Sequence, residues 1–241
     1  MTTASRASRS RALRALELAR TSDSAREPLE FVAQLCEAQA RAREQLQSAA
    51  AWSGSLARDG PRLLERLRPV AACVVEQSLE ELHSYWSGET RGADGFVARS
   101  LLCPYVELLR ELEIAPDRPR TPGLCPFCGG AALLALRRRG ASGEGAARSL
   151  LCALCGLEWG IPRIRCPVCD EADPARLPIF SAAEYPAARV EACEACRHYF
   201  KSLELGAGSR VLPEVDDLAS LALDLWAQEQ GFRREPNLAG L

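Results

Sequence analysis

The chain has 241 residues, 47% of them hydrophobic and 26% charged, enough apolar material for one large domain or two modest ones. A formal charge of −2 supplies no overall basic field, which weighs against a partner coated in phosphate. The arginine-bearing start has no apolar run of the secretory kind, and no stretch approaches the roughly 18 apolar residues of a bilayer span, so a cytoplasmic protein without membrane insertion is expected.

From about Pro28 to Pro116 apolar residues recur at helical spacing. Leu29, Val32, Leu35, Cys36 and Ala40 form one such series, and Leu63, Leu64, Leu67, Val70, Ala71, Val74 and Val75 a second. The third runs through Phe96, Val97, Leu101, Tyr105, Leu108, Leu109 and Leu112, after a loop at 87–94. Pro69 and Pro104 are expected to bend or divide the second and third helices. Three prolines and a glycine in residues 115–123 stop the last helix, which gives an N-terminal helical domain over 1–120.

Strand-like pieces follow at 132–138, 147–153 and 189–195, separated by turns such as residues 140–145. They belong to a segment, 121–205, that divides into two modules at about 163 and 164. A C-terminal part over 206–241 holds one helix at 213–231. Pro213 opens it, Glu214, Asp216 and Asp217 complement its dipole, and Gly231 ends it.

Eight of the eleven cysteines form four C-x2-C pairs. Cys125, Cys128, Cys152 and Cys155 have 23 residues between their pairs, and Cys166, Cys169, Cys193 and Cys196 have the same 23. Each cysteine of the second set lies 41 residues after its counterpart, as a duplicated module requires. In a chain read as cytosolic, such cysteines indicate metal or redox chemistry and not disulfides. A C-x2-C turn points two thiolates at one cation, and two turns complete a tetrahedron, the geometry of a zinc ribbon or rubredoxin. Pro126, Pro167, Gly129 and Gly156 suit the tight knuckle; Asp170 and Arg197 stand where glycine is expected, so the third and fourth knuckles should depart from the pattern.

Four pairs in matched halves do not fit a thioredoxin-like dithiol, and the even spacing favours mononuclear metal over an iron–sulfur cluster. Four thiolates leave no open position for water, so the sites are structural or electron-carrying. No phosphate loop, H-E-x-x-H helix or G-x-S-x-G elbow is present, and nothing argues for an enzyme.

Arg137, Arg138, Arg139, Arg163 and Arg165 lie near knuckles, where they offset thiolate charge or meet a partner. Cys36, Cys73 and Cys103 read as packed thiols. His83 and His198 have ligand chemistry but are not required once eight thiolates are matched.

The arginine-rich helical start, the four pairs, "LCALCGLEW" (151–159), "CEACRHYFKSLE" (193–204) and "VDDLASLALDLWAQEQGF" (215–232) together resemble the formate dehydrogenase accessory protein FdhE family. Its most specific part is Tyr199 and Lys201 followed by the Asp216, Asp217 helix. The resemblance implies a cytoplasmic, non-enzymatic maturation factor that binds the catalytic subunit of a respiratory, molybdenum- or tungsten-dependent formate dehydrogenase. It implies metal at all eight paired cysteines, as two mononuclear ions. Iron is the favoured occupant, with zinc able to substitute.

The expected fold is α+β: a helical bundle docked beside two stacked rubredoxin-like ribbons, with a C-terminal helix. Candidate partner contacts are Arg163, Arg165, His198, Asp216 and Asp217. The competing readings are a zinc-ribbon nucleic-acid binder and a rubredoxin-type electron carrier. Eleven basic residues against nine acidic between 121 and 212 argue against the first, and no nucleic acid is expected. The long helical part is unexplained by the second.

Overall fold

Five helices precede the first cysteine pair, of which the second, third and fifth carry the three apolar series: α1 (Thr3–Ala19), α2 (Arg26–Gln47), α3 (Leu56–Ala71), α4 (Leu79–Ser87) and α5 (Phe96–Glu111). The structure, a computed structural model, describes residues 3–48, 51–74, 77–138, 147–206 and 210–241; the expected turn at 140–145, Arg139 and Val75 lie outside these. Ala12, Ala15 and Ala19 on α1 face Leu29, Val32 and Ala33 on α2, small residues that let the two helices approach closely. Leu35, Leu46, Leu56, Leu63, Leu67, Leu82, Leu101 and Leu109 form the main helical core with Trp52 and Tyr105.

The prolines do not divide the helices. Helix α3 runs on through Pro61 and Pro69, and α5 through Pro104. Pro104 has no N–H for the Ser100 carbonyl, and Gln39 of α2 supplies the missing donor, Nε2–H to Ser100 O at 2.9 Å. Arg43, fully buried, donates to the Pro104 carbonyl at 2.9 Å. Helix α4 begins with a capping box: Glu81 N–H donates to Ser78 Oγ and Ser78 N–H to Glu81 Oε2.

The cysteine-bearing half builds one six-stranded sheet. Its strands are β1 (Ala132–Arg138), β2 (Ala147–Cys152), β3 (Glu158–Gly160), β4 (Ile179–Ser181), β5 (Ala188–Ala192) and β6 (Tyr199–Leu205), in the order β3-β2-β1-β6-β5-β4. The duplication survives in space, since β2 and β5 begin 41 residues apart, as do β3 and β6. Each repeat is an antiparallel meander, and the first strand of one joins the third strand of the other through parallel β1–β6 pairing. The ribbons are therefore fused edge to edge and not stacked. Fusion covers the edges of β1 and β6, which would otherwise be open ladders, and β6 has grown to seven residues against three in β3 to make the junction.

The C-terminal segment is α6 (Pro213–Asp216), a 3-10 turn at 217–220 and α7 (Leu221–Glu229), not one helix. The interruption has a cause. Lys201 Nζ, fully buried on β6, donates to the Asp217 carbonyl at 2.5 Å and to Ser220 Oγ at 3.1 Å, with the Ser220 carbonyl at 3.3 Å. These are carbonyls that an unbroken helix would pair with residues 221 and 224. Gly231, at φ +77°, ends α7 as expected. Val215, Leu218 and Leu238 pack on α1 and α2, so both ends of the chain share a core.

Candidate metal centres

The four knuckles are the same structure four times. The N–H of Gly129, Gly156, Asp170 and Arg197 donates to the carbonyl of Cys125, Cys152, Cys166 and Cys193 respectively. The N–H of each of those cysteines donates to the carbonyl five residues on, at 2.8–2.9 Å. The turn needs a left-handed residue at its fourth step, and φ there is +66°, +65°, +64° and +60°. Asp170 and Arg197 thus do not depart from the pattern; they adopt the glycine conformation despite a side chain. Asp tolerates it comparatively well, while Arg carries the ordinary cost of roughly 1–2 kcal/mol. Arg197 gains compensating contacts: its guanidinium lies 3.9 Å from the Phe232 ring centroid and donates to the Gln230 carbonyl.

Two cysteine tetrads result, each with its sulfurs within 4.8 Å of one another. Cys125–Cys155 and Cys128–Cys152 are 3.6 and 3.5 Å apart, and Cys166–Cys196 and Cys169–Cys193 are 3.7 and 3.6 Å apart. A cation held tetrahedrally at about 2.3 Å from each sulfur separates the sulfurs by about 3.8 Å. The donor set and the spacing therefore fit one four-thiolate ion per tetrad. With thiols alone, Cys128 and Cys155 are pushed above the ordinary range by hydrogen bonding to Cys125, protons that a cation displaces on binding.

The two sites differ in setting. All four sulfurs of the first are buried and belong to the helical core, alongside Leu101, Leu102 and Tyr105. The helical part holds its knuckles directly. Cys103 Sγ donates to the Leu154 carbonyl at 3.2 Å, and Arg110 to the Gly156 carbonyl at 3.2 Å. Arg118 donates to the carbonyls of Cys128 and Tyr85 while lying over the Tyr85 and Trp86 rings. The proline-rich segment at 115–123 is thus a brace. Cys36 is also buried, as its apolar surroundings suggested, and burial raises its thiol to about 12. Cys73 is partly buried. In the second site Cys169 is exposed and Cys196 half-buried.

Arg163, Arg165 and His198 come together at the second site, lining one cavity beside Cys166 and Cys193. Arg165 pairs with Asp170 at 2.9 Å. His198 Nδ1 lies 3.2 Å from the Cys196 carbonyl, and burial holds the ring below its ordinary pKa. His83 lies on α4, outside both tetrads. Asp216 and Asp217 are elsewhere and engaged within the chain. Asp216 pairs with Arg14 of α1 at 2.6 Å and accepts from the Leu212 N–H. Asp217 is fully buried between Lys201, at 3.0 Å, and Arg234. Burial alone would raise its carboxyl, but Arg234 and Lys201 outweigh that and hold it below the usual range.

The ionic knot around Asp217 is the feature that sequence reading missed. Lys201 Nζ also meets Asp224 at 2.6 Å, and Tyr199 donates to Asp224 at 2.8 Å. The only available signal was the proximity of "YFK" to an acidic helix, and polar residues in sequence do not announce burial.

A helical domain sealed onto tandem rubredoxin-like ribbons, with two separate four-cysteine clusters, defines a ribbon protein that can hold two metal ions at sites with no open coordination position. A family model for the FdhE C-terminal domain matches residues 164–239. The chain is 34% identical over 117 residues to an FdhE homolog of Aquifex aeolicus and 37% identical over 137 residues to one of Pseudomonas aeruginosa. Those alignments take in 48% and 54% of this chain but only 41% and 43% of the relatives' length. The crystal structure of the FdhE protein from Pseudomonas aeruginosa matches 96% of the chain and 94% of its own, with a TM-score of 0.67 and 26% identity. The C-terminal third of the chain is thus similar to the FdhE C-terminal domain, and the chain as a whole shares the fold of an FdhE protein. No helix among the described residues is long and apolar enough to cross a membrane.

Proposed function

We propose that the protein is a cytoplasmic maturation factor that binds the catalytic subunit of a respiratory formate dehydrogenase and is itself no enzyme. The observation that carries this reading is the likeness to FdhE proteins combined with two closed tetrathiolate sites, which have the chemistry to hold structure or pass an electron but not to bind and turn over a substrate. Iron is the favoured metal and zinc a competent substitute, since four thiolates in a tetrahedron accept either.

The metals serve chiefly as a scaffold. A tetrad sealed inside a core contributes folding energy, about 10–16 kcal/mol of apparent binding energy for a structural zinc, to a segment whose strands are short. Affinity purification of the tagged protein from cells expressing the catalytic subunit tests the reading: the subunit is expected to co-purify, and its absence under low salt would contradict it. Loading with redox-silent zinc separates the two metal roles, because a scaffold still supports maturation and an electron carrier does not.

A further inference from the structure

One face of the sheet is covered by the C-terminal helices, while the other carries Arg148 of β2, Arg137 of β1 and Glu191 of β5, with β6 between the last two. These three floor a cavity of about 280 Å³ beside the second tetrad. Arg163 and Ile164, from the segment joining the repeats, and Ile179 of edge strand β4 form its rim. The charged groups are unequally engaged. Arg148 is nearly buried and spent: it meets Glu191 Oε2 at 2.8 Å and donates to the carbonyls of Pro162 and Arg165 at 3.3 and 2.8 Å. It thereby fixes the segment that presents Arg163. Arg163 itself is exposed and has no hydrogen bond or ion pair among the described residues. Glu191 Oε1 is buried and accepts no hydrogen bond, with Arg137 Nη1 3.6 Å away. Ile164 and Ile179 are 52% and 54% exposed, and Val168, on the adjacent knuckle, is 49% exposed.

An unspent cation at the rim, a floor carboxylate oxygen that has an ion pair but no hydrogen bond, and an apolar border select a ligand that has all three complements. A small inorganic anion satisfies the cation but meets Glu191 unfavourably. An extended peptide satisfies both, because a backbone N–H donates to Glu191 Oε1, an acidic side chain reaches Arg163, and an apolar neighbour covers Ile164 and Ile179. We propose that this cavity docks an extended segment of a protein partner in which an acidic residue stands beside an apolar one. The proposal deepens the maturation reading by naming the surface and the chemistry through which a protein client is held.

The test pans a random peptide display library on the intact, metal-loaded protein and measures a fluorescein-labelled consensus peptide by anisotropy. Enriched sequences are expected to pair Asp or Glu with Leu, Ile or Phe. Arg163→Glu is expected to weaken the consensus peptide about tenfold or more, whereas Arg58→Glu, an exposed change on α3, leaves it unchanged. Failure to enrich acidic-apolar sequences, equal binding to Arg163→Glu and wild type, or full displacement by inorganic phosphate would each overturn the proposal. The assay involves no formate dehydrogenase. Peptide binding by a protein that proves dispensable for formate oxidation would refute the maturation reading and leave the docking site standing.

Discussion

Replacing Gly129 by alanine is expected to unseat the first metal, while the same replacement at Gly156 is not. Both glycines occupy equivalent knuckle positions at φ +66° and +65°, so both variants take the left-handed penalty of about 1–2 kcal/mol. Their surroundings differ. A Cβ on Gly129 would lie 2.0 Å from the Pro119 carbonyl oxygen, whereas one on Gly156 meets nothing within 4 Å. Pro119 has no room to retreat, because Arg118 donates to the Cys128 carbonyl at 3.0 Å and Arg120 to the Phe127 carbonyl at 2.9 Å, pinning the segment to the knuckle. Gly129→Ala must break those bonds or drag Cys128 out of the tetrad. At about 0.5–1.5 kcal/mol net per hydrogen bond, the total reaches about 2–5 kcal/mol before any metal is lost. Metal per chain, measured by plasma mass spectrometry after passage through dilute chelator, and urea unfolding together read the outcome. Gly156→Ala should keep two metals and lose about 1–2 kcal/mol; Gly129→Ala should keep one and lose more. Equal behaviour of the two variants would show that the Pro119 contact does not constrain the first knuckle.

Lys201→Met leaves Asp217 and Asp224 sharing Arg234 alone and frees the Asp217 carbonyl, so urea unfolding should register a loss of about 3–5 kcal/mol; a neutral result would mean that the knot contributes nothing net. Burial would raise Asp59, but the Tyr105 hydroxyl at 2.6 Å, with Ser53 and Arg62, holds its carboxyl below the usual value. Its stabilising contribution is therefore complete above the unfolded pKa of about 3.9 and is lost as pH falls through the folded value. Tyr105→Phe should move the acid-unfolding midpoint to higher pH, and an unchanged midpoint would contradict this. Iodoacetamide added during slow chelation should label Cys169 first and the buried Cys128 last, as read by peptide mass spectrometry. The reverse order would show that exposure does not govern release of the two ions.

The cysteine spacing groups the eight thiols into the same two tetrads that the fold assembles, because a C-x2-C turn is a local structure that its own residues determine. Strand β1 was legible for a related reason, its apolar run ending in three arginines. Strands β3 and β4 have three residues each, too few to display a period, and β6 hides its alternation because it is buried on both faces with Lys201 among them. Helix α4 had a readable signal in Ser78 and Glu81, three residues apart, that apolar periodicity alone does not reveal. The prolines misled because helix breaking depends on whether a neighbour supplies the lost donor. Gln39 does so for Pro104 from 61 residues away. Edge-to-edge fusion of the ribbons and the split of the C-terminal helix likewise rest on tertiary contacts and not on local pattern: β6 must meet β1, and Lys201 must reach Asp217 and Ser220 in the 3-10 turn.

The most direct measurement is formate-dependent dye reduction in cells lacking this gene, complemented with wild type or with Cys125→Ser, Cys128→Ser, while the catalytic subunit's abundance is followed alongside. Activity is expected to disappear on deletion with the subunit still present, and to return only with the intact tetrad. Undiminished formate oxidation in the deletion strain would contradict the maturation reading.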